Sequence, residues 1–121
     1  MREYLCSKIH KATVTQANLS YIGSITIDED LLDLCGLHIG QKVCVVSNTS
    51  GSRLETYTLK GERGTGVICV NGAASHLIKQ GEEIIIIGYE FATQPIVPKC
   101  VLVDKNNKFV KFLTEEEKQT V

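Results

Sequence analysis

Apolar and polar residues alternate along this chain in short runs, and only two brief stretches have a helical spacing. Tyr4 to Thr15 carries Ile9, Thr13, Val14 and Thr15 among polar residues, which predicts a strand. Gln16 to Ser20 is mostly polar and reads as a turn; Tyr21 and Ile22 resume extended chain, Gly23-Ser24 interrupts it, and Ile25 to Ile27 is strand-like again. Asp28-Glu29-Asp30 opens a short helix whose apolar face is Leu31, Leu32, Leu34 and Cys35, with Asp28 as its cap and Gly36 as its stop. Val43 to Ser47 predicts a strand that is apolar on both faces, and the turn cluster Asn48 to Gly51 leads to its hairpin partner, Arg53 to Leu59. Glu62 to Gly66 is a glycine-rich bend, and Val67 to Val70 is the next strand. Asn71 to His76 begins a short helical turn in which Asn71 either caps the turn or contacts a ligand. Ile84 to Ile87 reads as a strand buried on both faces, extended by Gly88 to Ala92. Val101 to Val103 and Phe109-Val110 form a hairpin around Asp104 to Lys108, and Thr114 to Val121 is a charged tail, a frayed helix or disordered. Many short strands with two short helices predict a mainly β fold, a compact β-barrel, as one domain over residues 1–121.

Composition narrows the class. The 121 residues are 43% hydrophobic and 22% charged, ordinary for a soluble globular chain. The net charge of -1 without a basic run gives no footing for nucleic acid or an anionic membrane. No apolar run has the length of a membrane span, and the N-terminus MREYLCSKIH has no signal-peptide core, so a cytoplasmic protein is expected. Cys6, Cys35, Cys44, Cys69 and Cys100 are odd in number and contain no CxxC pair, so no metal site is expected from them; they read as reduced, small apolar residues.

The candidate chemistry centres on Gly23-Ser24. A serine hydroxyl in a tight bend can attack the preceding carbonyl and turn the amide into an ester. Glycine suits the acyl side because it tolerates strained backbone, and the tetrahedral intermediate needs an oxyanion donor. Elimination and hydrolysis would then leave a pyruvoyl group at the new N-terminus. By itself Gly-Ser is an ordinary turn dipeptide. On the strand from Arg53, the period of two puts Arg53, Glu55 and Tyr57 on one face and Leu54, Thr56 and Thr58 on the other. An arginine fork can hold a carboxylate and a tyrosine hydroxyl can give a proton; a cross-strand surface pair is the equal alternative. Lys8 and His10 share a strand face and could bind a carboxylate, although a solvated face has the same pattern.

Four blocks agree in order and spacing with one known family. They are Lys8-Ile9-His10, Tyr21-Ile22-Gly23-Ser24 with Ile27-Asp28, Gly51 to Tyr57, and Val70-Asn71-Gly72-Ala73-Ala74. On these, the chain resembles the pyruvoyl-dependent L-aspartate 1-decarboxylases, over about residues 1–103. It departs from their common pattern at Ile22, Ser52 and Ser75. The resemblance implies a six-stranded double-psi β-barrel and a homotetramer with active sites between subunits. It implies self-cleavage into a 1–23 β chain and a 24–121 α chain, with Ser24 becoming the pyruvoyl group, Gly23 the new C-terminus and Thr56 polarising the Gly23 carbonyl. L-aspartate would condense with the pyruvoyl carbonyl as a Schiff base and lose CO2 to give β-alanine for pantothenate and coenzyme A. Arg53, Lys8 and His10 would bind substrate, Tyr57 would protonate the carbanion, and Asn71, Gly72, Ala73 and Ala74 would line the pocket. No metal and no pyridoxal phosphate are called for, and a maturation helper protein is a partner that the resemblance allows. The competing class is a non-catalytic barrel that binds or assembles without processing; the joint presence of Lys8, Gly23-Ser24, Arg53, Thr56 and Tyr57 argues against it.

Overall fold

The computed structural model describes residues 1–121. Its strands are β1 (Arg2–Thr13), β2 (Gln16–Asn18), β3 (Ser24–Asp28), β4 (Lys42–Ser47), β5 (Arg53–Gly61), β6 (Ile68–Asn71), β7 (Glu83–Ala92), β8 (Lys99–Val103) and β9 (Phe109–Leu113). The one α-helix is α1 (Glu29–Cys35), and a short 3-10 helix spans Gly72–His76. All strands join one sheet in the order β2-β6-β3-β5-β4-β7-β1-β8-β9. The mainly β class read from the alternation is therefore what the chain forms.

Three pairings are parallel: β1 with β8, β2 with β6, and β3 with β5. β1 and β3 each lie between one parallel neighbour and one antiparallel neighbour, β7 in the first case and β6 in the second. Parallel neighbours cannot be joined by a tight turn, so the chain must cross between them. Two strands, β1 and β3, are crossed in this way. Nine strands stand where six were expected: β2 lies beyond one end of the six consecutive strands β6 to β1, and the β8–β9 hairpin lies beyond the other. The stretch read as a turn at Gln16 to Ser20 begins with β2, because parallel main-chain pairing to Cys69–Asn71 does not require apolar side chains.

The core is one cluster of 18 buried residues, with Ile9, Ile25, Ile27, Ile68, Ile84 and Ile86 among its fully buried side chains. β4 alternates, burying Val43 and Val45 and leaving Cys44 and Val46 half-buried, so it is less apolar in setting than in composition. Likewise Ile85 in β7 is only half-buried, while Ile84 and Ile86 face the core and Ile87 is covered on the other side.

Two polar residues fasten the loops. Asp28 caps α1, accepting a hydrogen bond from the Asp30 N–H at 2.8 Å, and Gly36 ends the helix in the left-handed region at φ 73°. The same carboxylate accepts from the N–H groups of Gly64 and Gly66, at 3.2 and 2.8 Å, which ties the glycine-rich bend to the helix start. Asn107, 1% exposed, accepts from the Thr13 N–H and donates to the carbonyls of Thr13 and Gly66, closing the β8–β9 turn onto β1. No helix is long and apolar enough to cross a membrane.

Candidate active site

β3 begins at Ser24, directly after the exposed bend Tyr21–Gly23. Antiparallel pairing sets Ser24 opposite Asn71, the last residue of β6. The burial contrast across the bend is sharp: Ile22 is 84% exposed and Ser24 is 1% exposed. The Gly23–Ser24 peptide is thus the point at which the chain passes from solvent into the sheet. Gly72 makes this possible. Its φ is 71°, and a Cβ there would stand 2.7 Å from the Cα of Gly23 and 2.9 Å from its nitrogen. No side chain fits between the two backbones, and glycine also accepts the left-handed conformation without strain.

Around Ser24 the hydrogen bonds form a directed set. The Ser24 hydroxyl donates to the Ile22 carbonyl at 3.2 Å. Asn71 Nδ2 donates to Ser24 Oγ at 2.8 Å and to Thr26 Oγ1 at 2.9 Å. The Cys69 thiol donates to Asn71 Oδ1 at 2.9 Å. Asn71 occupies the cap position of the 3-10 helix, yet its side chain makes no cap bond there. The cap expected of Asn71 is therefore not formed; its amide bonds to Ser24 and Thr26 instead. Ala73 and Ala74 follow Gly72 in that 3-10 helix, Ala73 exposed and Ala74 half-buried.

β5 lies on the other side of β3, with Ile25 opposite Thr58. The same register, carried toward the start of both strands, sets Tyr57 level with Ser24 and Thr56 level with Gly23. By alternation Tyr57 shares the face of Ser24, and Thr56 points the opposite way. Tyr57 is 40% exposed. An open groove of about 510 Å³ runs along this face, with Tyr21, Ile22, Thr26, Leu59, Cys69 and Asn71 in its lining. Arg53 is exposed at the far end of β5, opposite Val46 of β4. Tyr57 is four steps further along the strand, a span of roughly 13 Å at strand rise.

Lys8 and His10 form a second group. Both lie on β1, which β5, β4 and β7 separate from β3 in the sheet. Both face Glu115 of the tail: Lys8 Nζ is 2.8 Å and His10 Nε2 3.9 Å from the same oxygen, Oε1. The Cys100 thiol donates to that oxygen too, at 3.3 Å. The hydrogen bond from Lys8 holds the Glu115 carboxyl below its usual range. Burial, with the Lys8 charge beside it, pushes the His10 imidazole below its ordinary value, against the opposing pull of Glu115.

One chain therefore brings together Gly23, Ser24, Asn71 and Gly72, with Tyr57 and Thr56 on the adjacent strand. No hydrogen bond or ion pair links Arg53, Lys8 or His10 to Ser24, and none of the three lines the groove beside Asn71. Sequence reading missed Cys69 and Thr26, which bracket the Asn71 amide. The period of two carried a signal for them: once Ser24 pairs with Asn71, Thr26 and Cys69 must pair on the same face. Nothing in the sequence pointed to Glu115, which acts across the fold. No group of three or more His, Cys, Asp or Glu side chains is placed to hold a metal.

Fold and site together define a small mainly β protein with a buried serine hydroxyl, next to a glycine, at the edge of an open groove. Comparison with known proteins places it further. The Aspartate decarboxylase family matches residues 1–110. Proteins named Aspartate 1-decarboxylase are similar over nearly the full chain. That of Neisseria meningitidis is 48% identical, covering 99% of this chain and 98% of its own. That of Bacillus pumilus is 49% identical at the same coverage, and that of Caldicellulosiruptor saccharolyticus is 52% identical, covering 95% of this chain and 93% of its own. The chain belongs to the aspartate decarboxylase family. Among solved structures, the computationally designed msDPBB_sym2 protein covers 72% of this chain and 99% of its own at 16% identity and a TM-score of 0.45, too slight a likeness to add to the topology.

Proposed function

We propose that this chain is an L-aspartate 1-decarboxylase that makes its own pyruvoyl group by cleaving the Gly23–Ser24 bond, and that it supplies β-alanine for pantothenate synthesis in the cytoplasm. The observation that carries the reading is the setting of Ser24: a hydroxyl 1% exposed, held by the Asn71 amide, directly after an exposed glycine bend. In the first step the Ser24 Oγ–carbon bond to Gly23 forms and the Gly23–Ser24 carbon–nitrogen bond breaks. The hydroxyl proton ends on the freed nitrogen, so the step is an isomerisation. Loss of the residue 24 α-proton and departure of the Gly23 carboxylate follow; one water then releases ammonia and leaves the carbonyl. Asn71 Nδ2 donates to Oγ and so favours the negative charge that grows there. Thr56, level with Gly23, is the donor assigned to the carbonyl oxygen of that residue, the usual role of an oxyanion group.

The residues fit the group. Its carbonyl would sit where Ser24 now enters the sheet, under Asn71 and beside Gly72, whose missing Cβ keeps that approach open. When formed, a pyruvoyl group supplies a carbonyl electron sink, the role otherwise taken by pyridoxal phosphate. Arg53 holds the carboxylate that aspartate keeps, through a planar two-point fork that lysine lacks. Tyr57, on the face of Ser24, gives its phenolic proton to the α-carbon. Lys8 and His10 add positive and titratable groups for substrate. Because Arg53, Lys8 and His10 lie away from Ser24 within one chain, a second copy completes the site, as in a homotetramer with sites between subunits; a helper protein for maturation is compatible with this.

Intact-mass measurement tests the reading. Fragments 1–23 and 24–121, the second with a blocked N-terminus, are expected from the natural sequence, and one uncut chain from Ser24→Ala. Two fragments from Ser24→Ala, or one uncut chain from the natural sequence made in its native host, where any helper is present, would overturn it.

A further inference from the structure

We propose that Cys69 is a positioning residue for the cleavage: its thiol sets which end of the Asn71 amide faces Ser24. The inference rests on the reading that Ser24 is the nucleophile, and deepens it. A side-chain amide has a donor end and an acceptor end of nearly the same shape, so its neighbours decide its orientation. Three side chains meet the Asn71 amide: Ser24, Thr26 and Cys69. Two of them are hydroxyls, which donate or accept equally well and leave either orientation satisfied. The thiol is different. Sulfur is a poor acceptor, and Cys69 is 4% exposed, so of the two ends of the amide the oxygen is the better match for its S–H. Burial also pushes the Cys69 thiol up, so it keeps that proton at neutral pH. The 2.9 Å contact from Cys69 Sγ to Asn71 Oδ1 draws the oxygen end to the sulfur and turns Nδ2 toward both hydroxyls.

The consequence falls on the reacting atom. With Nδ2 donating to Ser24 Oγ, the serine proton goes to the Ile22 carbonyl, and a donor already waits for the charge that develops on Oγ. With the amide turned over, Oδ1 would accept from the serine hydroxyl and no donor would face the charge that develops on Oγ. Cys69 does not touch the bond that breaks; it acts through Asn71.

The test compares three variants followed by intact mass from the moment of cell-free synthesis. Cys69→Ser keeps a donor but, as a hydroxyl, can also accept, so it restores the orientation only in part; Cys69→Val and Cys69→Ala keep only apolar packing, and using both guards against one failing to fold. Rates are taken below the melting temperature of each. Cys69→Ser is expected to cleave within a few-fold of the natural chain, and both apolar variants roughly five- to tenfold slower, about what one hydrogen bond is worth. Rescue by serine but not by valine is a pattern that packing alone would not produce. Natural-rate cleavage in Cys69→Val or Cys69→Ala, or equal slowing in Cys69→Ser, would overturn this proposal alone. A natural chain that never cleaves, in its native host as well, would overturn the cleavage reading and this proposal with it.

Discussion

Gly72 carries more of the site than any polar residue suggests. Its conformation at φ 71° and its contact with the Gly23 Cα and nitrogen make it a position where adding a single carbon must displace backbone next to the bond proposed to be cut. Gly72→Ala has nowhere to put its methyl except against backbone, which does not yield as a flexible side chain would. The expected outcome is a stability loss of about 1–3 kcal/mol, from the left-handed strain, together with cleavage slowed well beyond what that loss explains. Thermal melting and the cleavage rate, measured on the same preparation, check it; a Gly72→Ala chain that melts lower but cleaves normally would show that the contact only packs the turn. Sequence reading identified Gly72 through its motif, but the physical reason, a backbone approach to a residue 49 positions earlier, could not be seen without the pairing of β3 and β6 (72 − 23 = 49).

At the scale of elements, the strands and α1 were legible because each depends on its own residues: alternation for the strands, and Asp28, Leu31, Leu32 and Gly36 for the helix. Elements that depend on a partner were not. β2 forms only because Cys69–Asn71 lies beside it, and the tail residue Glu115 is placed by Lys8 of β1. That last contact has a testable electrostatic signature. His10 sits below its ordinary 6.5, chiefly through burial, while Glu115 pulls it upward. A folded value below the unfolded one means that acid favours unfolding: the His10 contribution is complete above 6.5 and is lost as the pH falls through the window beneath it. Glu115, also held low, contributes above its ordinary 4.5 and loses that contribution as the pH falls through its lower folded value. Replacing Glu115→Gln removes the upward pull, so the assigned His10 ring resonance is expected to titrate lower still. A midpoint that stays put or rises would mean that the tail does not hold Glu115 against β1 in solution.

Across the whole molecule, the sheet order divides the chemistry. Ser24, Asn71, Gly72 and Cys69 lie on β3, β6 and the turn that follows, while Lys8 and His10 lie beyond three intervening strands and Arg53 at the far end of β5. Sequence motifs named these residues together, but a motif has no distance in it, and only the pairing register separates the two sets. The separation has a consequence for kinetic order. Every group assigned to the cutting of the chain, Thr56 included, belongs to one molecule, so maturation is expected to be first order with a half-time that ignores dilution. If the site is completed by a second copy, as proposed above, turnover of aspartate draws on groups from two molecules, and its rate per chain is expected to fall once dilution parts them. A dilution series that slows both processes alike would erase the distinction. If the two respond differently, each newly made chain carries its own clock for maturation, while its working life as a catalyst begins only when it meets another copy.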